Sequence, residues 1–182
     1  MNSYRKDFKK YVDDLSRRKP SPGGGSAICL TFCLGTSLMR KAINYSIVQK
    51  PKTAKDKSRN AKLKKTESSF EKLSNKVYPC IDKDSQLFDK VMKTKGQKRL
   101  KFIKMSEALI CDVAKSAQKV FFLAKGIESG IKKSIISDFR IGLEYVKVSF
   151  SGCILNLEAN SSIFRKRNKN IGIFKKALER WQ

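Results

Sequence analysis

Breaks in the chain are few, and they limit the fold more than any other feature. The 182 residues contain four prolines, at positions 20, 22, 51 and 79, and ten glycines. Between these breaks apolar residues recur at three- and four-residue steps over long spans, the mark of amphipathic helix. The periodicity predicts six helices over residues 3–16, 24–48, 58–94, 98–125, 137–160 and 164–181. Pro79 falls inside the third and predicts a kink or a break there. Residues 49–57 (QKPKTAKDK) read as a basic connection, and 126–136, with Gly126 and Gly130, as a turn. Residues 144–150 (EYVKVSF) alternate in the manner of a strand, but helical signals bracket them and they are assigned to helix. The expected architecture is all-α, a single-domain, up-and-down bundle of about six helices spanning residues 1–182.

Charge and composition narrow the function classes. The net charge is +25 and the pI about 10.1, which raises nucleic acid or another polyanion as a partner. The alternative is a lysine-rich solvated surface, since Asp and Glu are interleaved through most of the basic stretches. The aromatic residues fall mainly on apolar stripes rather than among exposed lysines, which argues against stacking platforms for single-stranded nucleic acid. No histidine is present, so His-based triads, His metal sites and imidazole bases are excluded. Five cysteines (Cys29, Cys33, Cys80, Cys111, Cys153) all lie in apolar segments, as expected of buried thiols in a reduced, cytoplasmic protein. None forms a CxxC pair, and no metal site is expected. The N-terminal residues lack the apolar core of a signal peptide, and the apolar run from Ala27 to Met39 is shorter than the ~20 residues that span a bilayer. No membrane association is expected.

Three constellations could carry chemistry. The first is Pro20-Ser21-Pro22-Gly23-Gly24-Gly25-Ser26, at the start of the second helix. Consecutive glycines strip the Cβ atoms from a short span, so a ligand can approach main-chain N–H groups at the positive end of a helix. The spacing matches neither GxxxxGK[ST] nor GxGxxG, and a plain linker with Ser26 near the cap is the alternative. The second is Asp84, on a stripe otherwise made of Val77, Cys80, Ile81, Leu87, Phe88 and Val91. Burial would raise its pKa toward the range useful for proton transfer; a structural carboxylate capping a helix or meeting a lysine is the alternative. The third is a stripe of small and polar residues on the fifth helix: Asp138, Gly142, Tyr145, Ser149, Gly152, Asn156 and Asn160. Eighteen residues of helix span about 27 Å, so Asp138 and Asn156 cannot touch one atom. They would serve two ends of a long ligand, two sites in an oligomer, or structural hydrogen bonds.

Together these residues resemble the cyclodeaminase/cyclohydrolase family, which includes the C-terminal domain of formiminotransferase-cyclodeaminase and free-standing methenyltetrahydrofolate cyclohydrolases. The likeness rests on Pro20-Ser21-Pro22-Gly23-Gly24-Gly25-Ser26-Ala27, on Asp82-Lys83-Asp84-Ser85-Gln86-Leu87-Phe88, and on Ser137-Asp138 followed by Asn156 and Asn160. It extends over roughly residues 15–180. The second helix is bulkier than the family's alanine-rich one, with Cys29, Phe32 and Cys33, and Glu107-Ala108-Leu109 stands where the family often has Pro-Leu. The resemblance implies a homodimer that binds a tetrahydrofolate, with or without a polyglutamate tail, and needs no cofactor beyond that substrate. It implies either hydrolysis of 5,10-methenyltetrahydrofolate to 10-formyltetrahydrofolate or cyclodeamination of 5-formiminotetrahydrofolate. With no formiminotransferase segment attached, the first is favoured. Asp84 would be the catalytic acid/base, Gly23, Gly24, Gly25 and Ser26 would line the folate pocket, and Asp138, Asn156 and Asn160 would order the pocket or its supporting shell. The alternatives are a basic helical protein that binds nucleic acid, and a family member that keeps the fold without catalysis.

Overall fold

In the computed structural model, which describes residues 4–163 and 168–181, the expected all-α class holds, with seven α-helices among the described residues. Their order is α1 (Tyr4–Ser16), α2 (Gly24–Ser46), α3 (Ala54–Val77), α4 (Cys80–Lys93), α5 (Gly96–Lys125), α6 (Ile136–Ile163) and α7 (Asn170–Glu179). The extra helix comes from Pro79, which lacks an N–H and ends the hydrogen-bond ladder, so one span is divided into α3 and α4. α3 begins four residues before its apolar periodicity does. The Thr53 hydroxyl accepts from the Asp56 N–H at 3.1 Å and caps the polar first turn. Residues 144–150, strand-like in pattern, lie inside α6. Between α4 and α5 the chain reverses at Gly96, whose φ of +56° lies in the left-handed region that favours glycine. Residues 164–167 of the expected last helix lie outside the described residues.

α2 is the central element. Cys29, Phe32, Cys33, Met39 and Ile43 form its buried face, and α6 is its most extensive neighbour. By length and composition α2 could cross a membrane, so the apolar stretch is longer than the thirteen residues from Ala27 to Met39 suggested. Here half of that span is buried inside the bundle. Two glycines set the α2–α6 distance. A Cβ on Gly35 would stand 2.6 Å from the Gly142 carbonyl oxygen, and one on Gly142 would stand 2.6 Å from that of Gly35. Only a residue without a side chain allows the two backbones to come so close.

The contacts along this crossing fix its direction. Ser149 Oγ donates to the Ile28 carbonyl at 3.0 Å, Gly35 meets Gly142, and Lys41 pairs with Asp138 at 2.8 Å. Rising numbers on α2 meet falling numbers on α6, so the helices run antiparallel. The start of α2 therefore lies at the end of α6 that carries Asn156 and Asn160. At the far end of the chain α7 closes the bundle. Trp181 stacks between Phe121, at 4.1 Å between ring centroids, and Phe150, at 4.3 Å.

Candidate functional site

The glycine run does not form a loose loop. Gly23 is the N-cap of α2, and Gly24 and Gly25 lie in its first turn. Their N–H groups belong to the set that no helical carbonyl can satisfy. The three glycines differ in what surrounds them. A Cβ on Gly24 would meet nothing within 4 Å, and one on Gly23 would only touch the Pro20 carbonyl at 4.0 Å. At Gly25 a Cβ would fall 2.5 Å from the Asp84 carboxyl carbon. The carboxyl group occupies the space that any other residue at position 25 would fill.

Asp84 reaches this place because the break at Pro79 swings α4 across the start of α2. The Ser26 N–H donates to its carboxylate. Burial pushes the Asp84 carboxyl above the ordinary aspartate value, and the Ser26 N–H opposes that shift without cancelling it. Among the described residues no lysine or arginine pairs with it. The aspartate is thus held by a backbone donor rather than by a counter-ion.

Tyr11, on α1, completes the cluster. Its hydroxyl lies 3.0 Å from Ser26 Oγ. Burial raises its pKa, with smaller contributions from Cys29, Asp84 and Asp82, so the phenol stays protonated and able to donate. The available signal was the tyrosine itself, an apolar body whose polar tip needs a partner when buried. Cys29, one turn into α2, is held as a thiol by burial and by neighbouring Cys80, Cys153 and Asp84. A further tether is Ser21 Oγ, which donates to Asp89 at 3.2 Å and ties the segment before α2 to α4.

The remaining predicted site residues divide between two ends of the molecule. Asn160 Nδ2 donates to Asn156 Oδ1 at 3.2 Å, and Asn160 lines a cavity of about 130 Å³ with Phe88, Met92, Arg99 and Ser106. Phe88 is one helical turn beyond Asp84, about 6 Å along α4, and Asp84 itself is not among the residues that line this cavity. Asp138 stands apart. It accepts from Lys41 Nζ at 2.8 Å, sixteen residues or about 24 Å along α2 from Gly25. The structure thus groups Gly25, Ser26 and Asp84 in direct contact, sets Asn156 and Asn160 at the same end, and leaves Asp138 in a surface ion pair at the other.

Fold and site together define an all-α protein in which a half-buried, cation-free carboxylate stands over a glycine-opened helix start. A model of the formiminotransferase-cyclodeaminase family matches residues 7–170, and the chain belongs to that family. Among solved structures, the fold is similar to formiminotetrahydrofolate cyclodeaminase from Thermotoga maritima. The TM-score is 0.78 at 19% identity, over 95% of this chain and 86% of that one. Comparison with curated proteins finds no match.

Proposed function

We propose that this chain is a one-carbon folate enzyme that moves a proton while the carbon between N5 and N10 of a tetrahydrofolate is bonded or released. The observation that supports this most is the Asp84 carboxyl group, raised in pKa by burial and set beside free main-chain N–H groups. In the hydrolytic direction, water adds to the methenyl carbon of 5,10-methenyltetrahydrofolate and gives up a proton to Asp84. The C–N5 bond then breaks as that proton passes to N5, the carbinol hydroxyl releases its own proton to solvent as the formyl C=O forms, and 10-formyltetrahydrofolate leaves. In the cyclodeaminating direction, N10 attacks the formimino carbon of 5-formiminotetrahydrofolate. The N10 proton passes to the formimino nitrogen as the tetrahedral carbon forms; Asp84 then protonates the resulting amino group, its C–N bond breaks, and ammonia leaves with 5,10-methenyltetrahydrofolate as product. Both routes pass through a tetrahedral carbon and use one carboxyl group as donor and acceptor, with no group beyond the substrate.

In this reading Gly23 and Gly24 admit the substrate to the start of α2, Gly25 admits Asp84, and Ser26 holds it. Asn156 and Asn160 shape the adjoining wall, and Asp138 supports the α2–α6 frame. Purified protein is given each folate in turn, and loss of methenyl absorbance or release of ammonia is followed beside Asp84→Asn. Turnover of one folate by the wild type, lost in the variant, is the expected result. Equal rates for the two proteins would remove Asp84 from the reaction.

We also propose that the enzyme is a cytoplasmic homodimer paired through α6. Ile141, Tyr145, Val148 and Leu155 are exposed along one side of that helix. Among the described helices α6 alone carries more acidic than basic residues, with Asp138, Glu144 and Glu158 against Arg140 and Lys147. Two copies of a +25 chain would meet there with least repulsion. Light scattering of Val148→Lys should report a monomer, and a wild type that is itself monomeric at micromolar concentration refutes the pairing.

A further inference from the structure

A second cavity lies at the end of the bundle opposite Asp84. Its volume is about 390 Å³, and it sits between α3 and the turn that follows α5. Lys55, Arg59 and Lys62 line one side, spaced four and three residues apart on a single face of α3. Leu63 and Ile127, both buried, supply its apolar lining. None of the three cations has an ion-pair partner among the described residues. Asp56, the one carboxylate in the lining, is engaged by the Thr53 hydroxyl at 2.8 Å as part of the helix cap.

Arg59 is the informative residue. Its Nη2 donates to the Ser46 carbonyl at 3.4 Å, while its Nε is buried and has no acceptor among the described residues. Gly130 packs against its stem, where a Cβ would lie 3.6 Å from Arg59 Cγ. The guanidinium is therefore anchored at the cavity wall, beside two ammonium groups without ion-pair partners among the described residues and the apolar Leu63 and Ile127. Planar guanidinium donors match the oxygens of a phosphate, lysines add charge, and the apolar wall suits a ring. A volume of this size falls in the range of small-ligand sites, about 300–1,000 Å³.

We propose that this cavity binds an organic phosphate of mononucleotide size. The site is independent of the folate reading. Ser46, which Arg59 reaches, is about 32 Å along α2 from Gly25, so a molecule held here does not touch Asp84. A concave site with one immobilised arginine and no aromatic side chain in its lining favours a discrete small anion over a nucleic-acid strand, which would call for stacking surfaces.

Calorimetric titration with ADP and with inorganic pyrophosphate tests this, using wild type, Arg59→Met, the double variant Lys55→Ala/Lys62→Ala, and Lys98→Ala/Lys101→Ala as a control for general charge. ADP should bind saturably at one site per chain and more tightly than pyrophosphate. Both Arg59→Met and the α3 double variant should weaken it by about tenfold or more, the loss expected for a charge-assisted phosphate contact. The control should bind as wild type does. ADP should raise the melting temperature of the wild type and not of Arg59→Met. The proposal fails if neither ligand saturates, if the control loses affinity equally, or if pyrophosphate binds as tightly as ADP. It fails too if a single-stranded RNA oligomer binds and ADP does not compete. Should Arg59→Met fail to fold, the exposed-lysine double variant decides the matter alone.

Discussion

The two ends of α2 hold two aspartates of very different character. At the first, Asp84 is wedged against Gly25, receives the Ser26 N–H, and has no cation. At the second, Asp138 meets Lys41 in a largely exposed ion pair. Both residues belong to the pattern that links the sequence to its family. Burial raises the pKa of the first, and the second serves as one half of an ion pair between two helices. The contrast separates a carboxylate suited to chemistry from one suited to holding two helices in register. The absence of a side chain at Gly25 is what lets the Asp84 carboxyl group sit against the start of α2.

That contrast can be broken most directly at Asp84. Asp84→Asn keeps the shape and the acceptor for Ser26 while removing the titrating proton. Turnover should fall by about 10²–10⁴-fold, the usual contribution of a positioned acid/base. The same variant tests the burial argument through stability. Burial raises the native pKa above the unfolded value, so the ionised form disfavours the fold. This destabilisation is absent below the ordinary aspartate range, grows as pH rises, and is complete above the raised native value. Asp84→Asn should therefore gain thermal stability relative to wild type between acid and neutral pH. A constant difference across that window would contradict the assignment. At Gly25, alanine would force Asp84 out of its place, destabilising by about 2 kcal/mol in thermal denaturation and abolishing turnover together.

Gly24→Ala sharpens the comparison from the other side. Nothing lies within 4 Å of a Cβ there, so the protein should gain about 0.5 kcal/mol from the lower freedom of its unfolded chain. If substrate approaches the main chain at that point, kcat/KM should fall even as stability rises. Asp138→Asn is expected to have the smallest effect. Its pair is exposed, so the melting temperature should stay close to that of wild type and turnover should be retained. A large loss of activity there would mean that the far end of α2 takes part in the reaction.

Much of this arrangement was legible in the residue pattern, and the reasons are physical. Long helices announce themselves through spacing, so α2, α5 and α6 emerge within a few residues of their limits. Asp84 was visible as a charge on an apolar stripe. The steric reason for Gly25 was not, because it depends on α4 crossing α2, a contact between residues far apart in the chain. The same holds for Tyr11, whose partner Ser26 lies fifteen residues away on another helix. Asp138 gave the opposite difficulty. Its place in a stripe of small and polar residues suggested the site, but eighteen residues of straight helix separate it from Asn156. Arg59 carried no signal at all, since one arginine among many cations becomes distinctive only when its Nε is found buried.

The stacking of Trp181 has a practical consequence. It is the only tryptophan in the chain, and its ring lies between Phe121 of α5 and Phe150 of α6. Its emission is thus an intrinsic optical gauge of whether the last segment is seated on the bundle. A red shift that precedes the loss of helical circular dichroism on heating would mark that segment as the first to peel away. Coincident transitions would show that it melts with the rest as one cooperative unit.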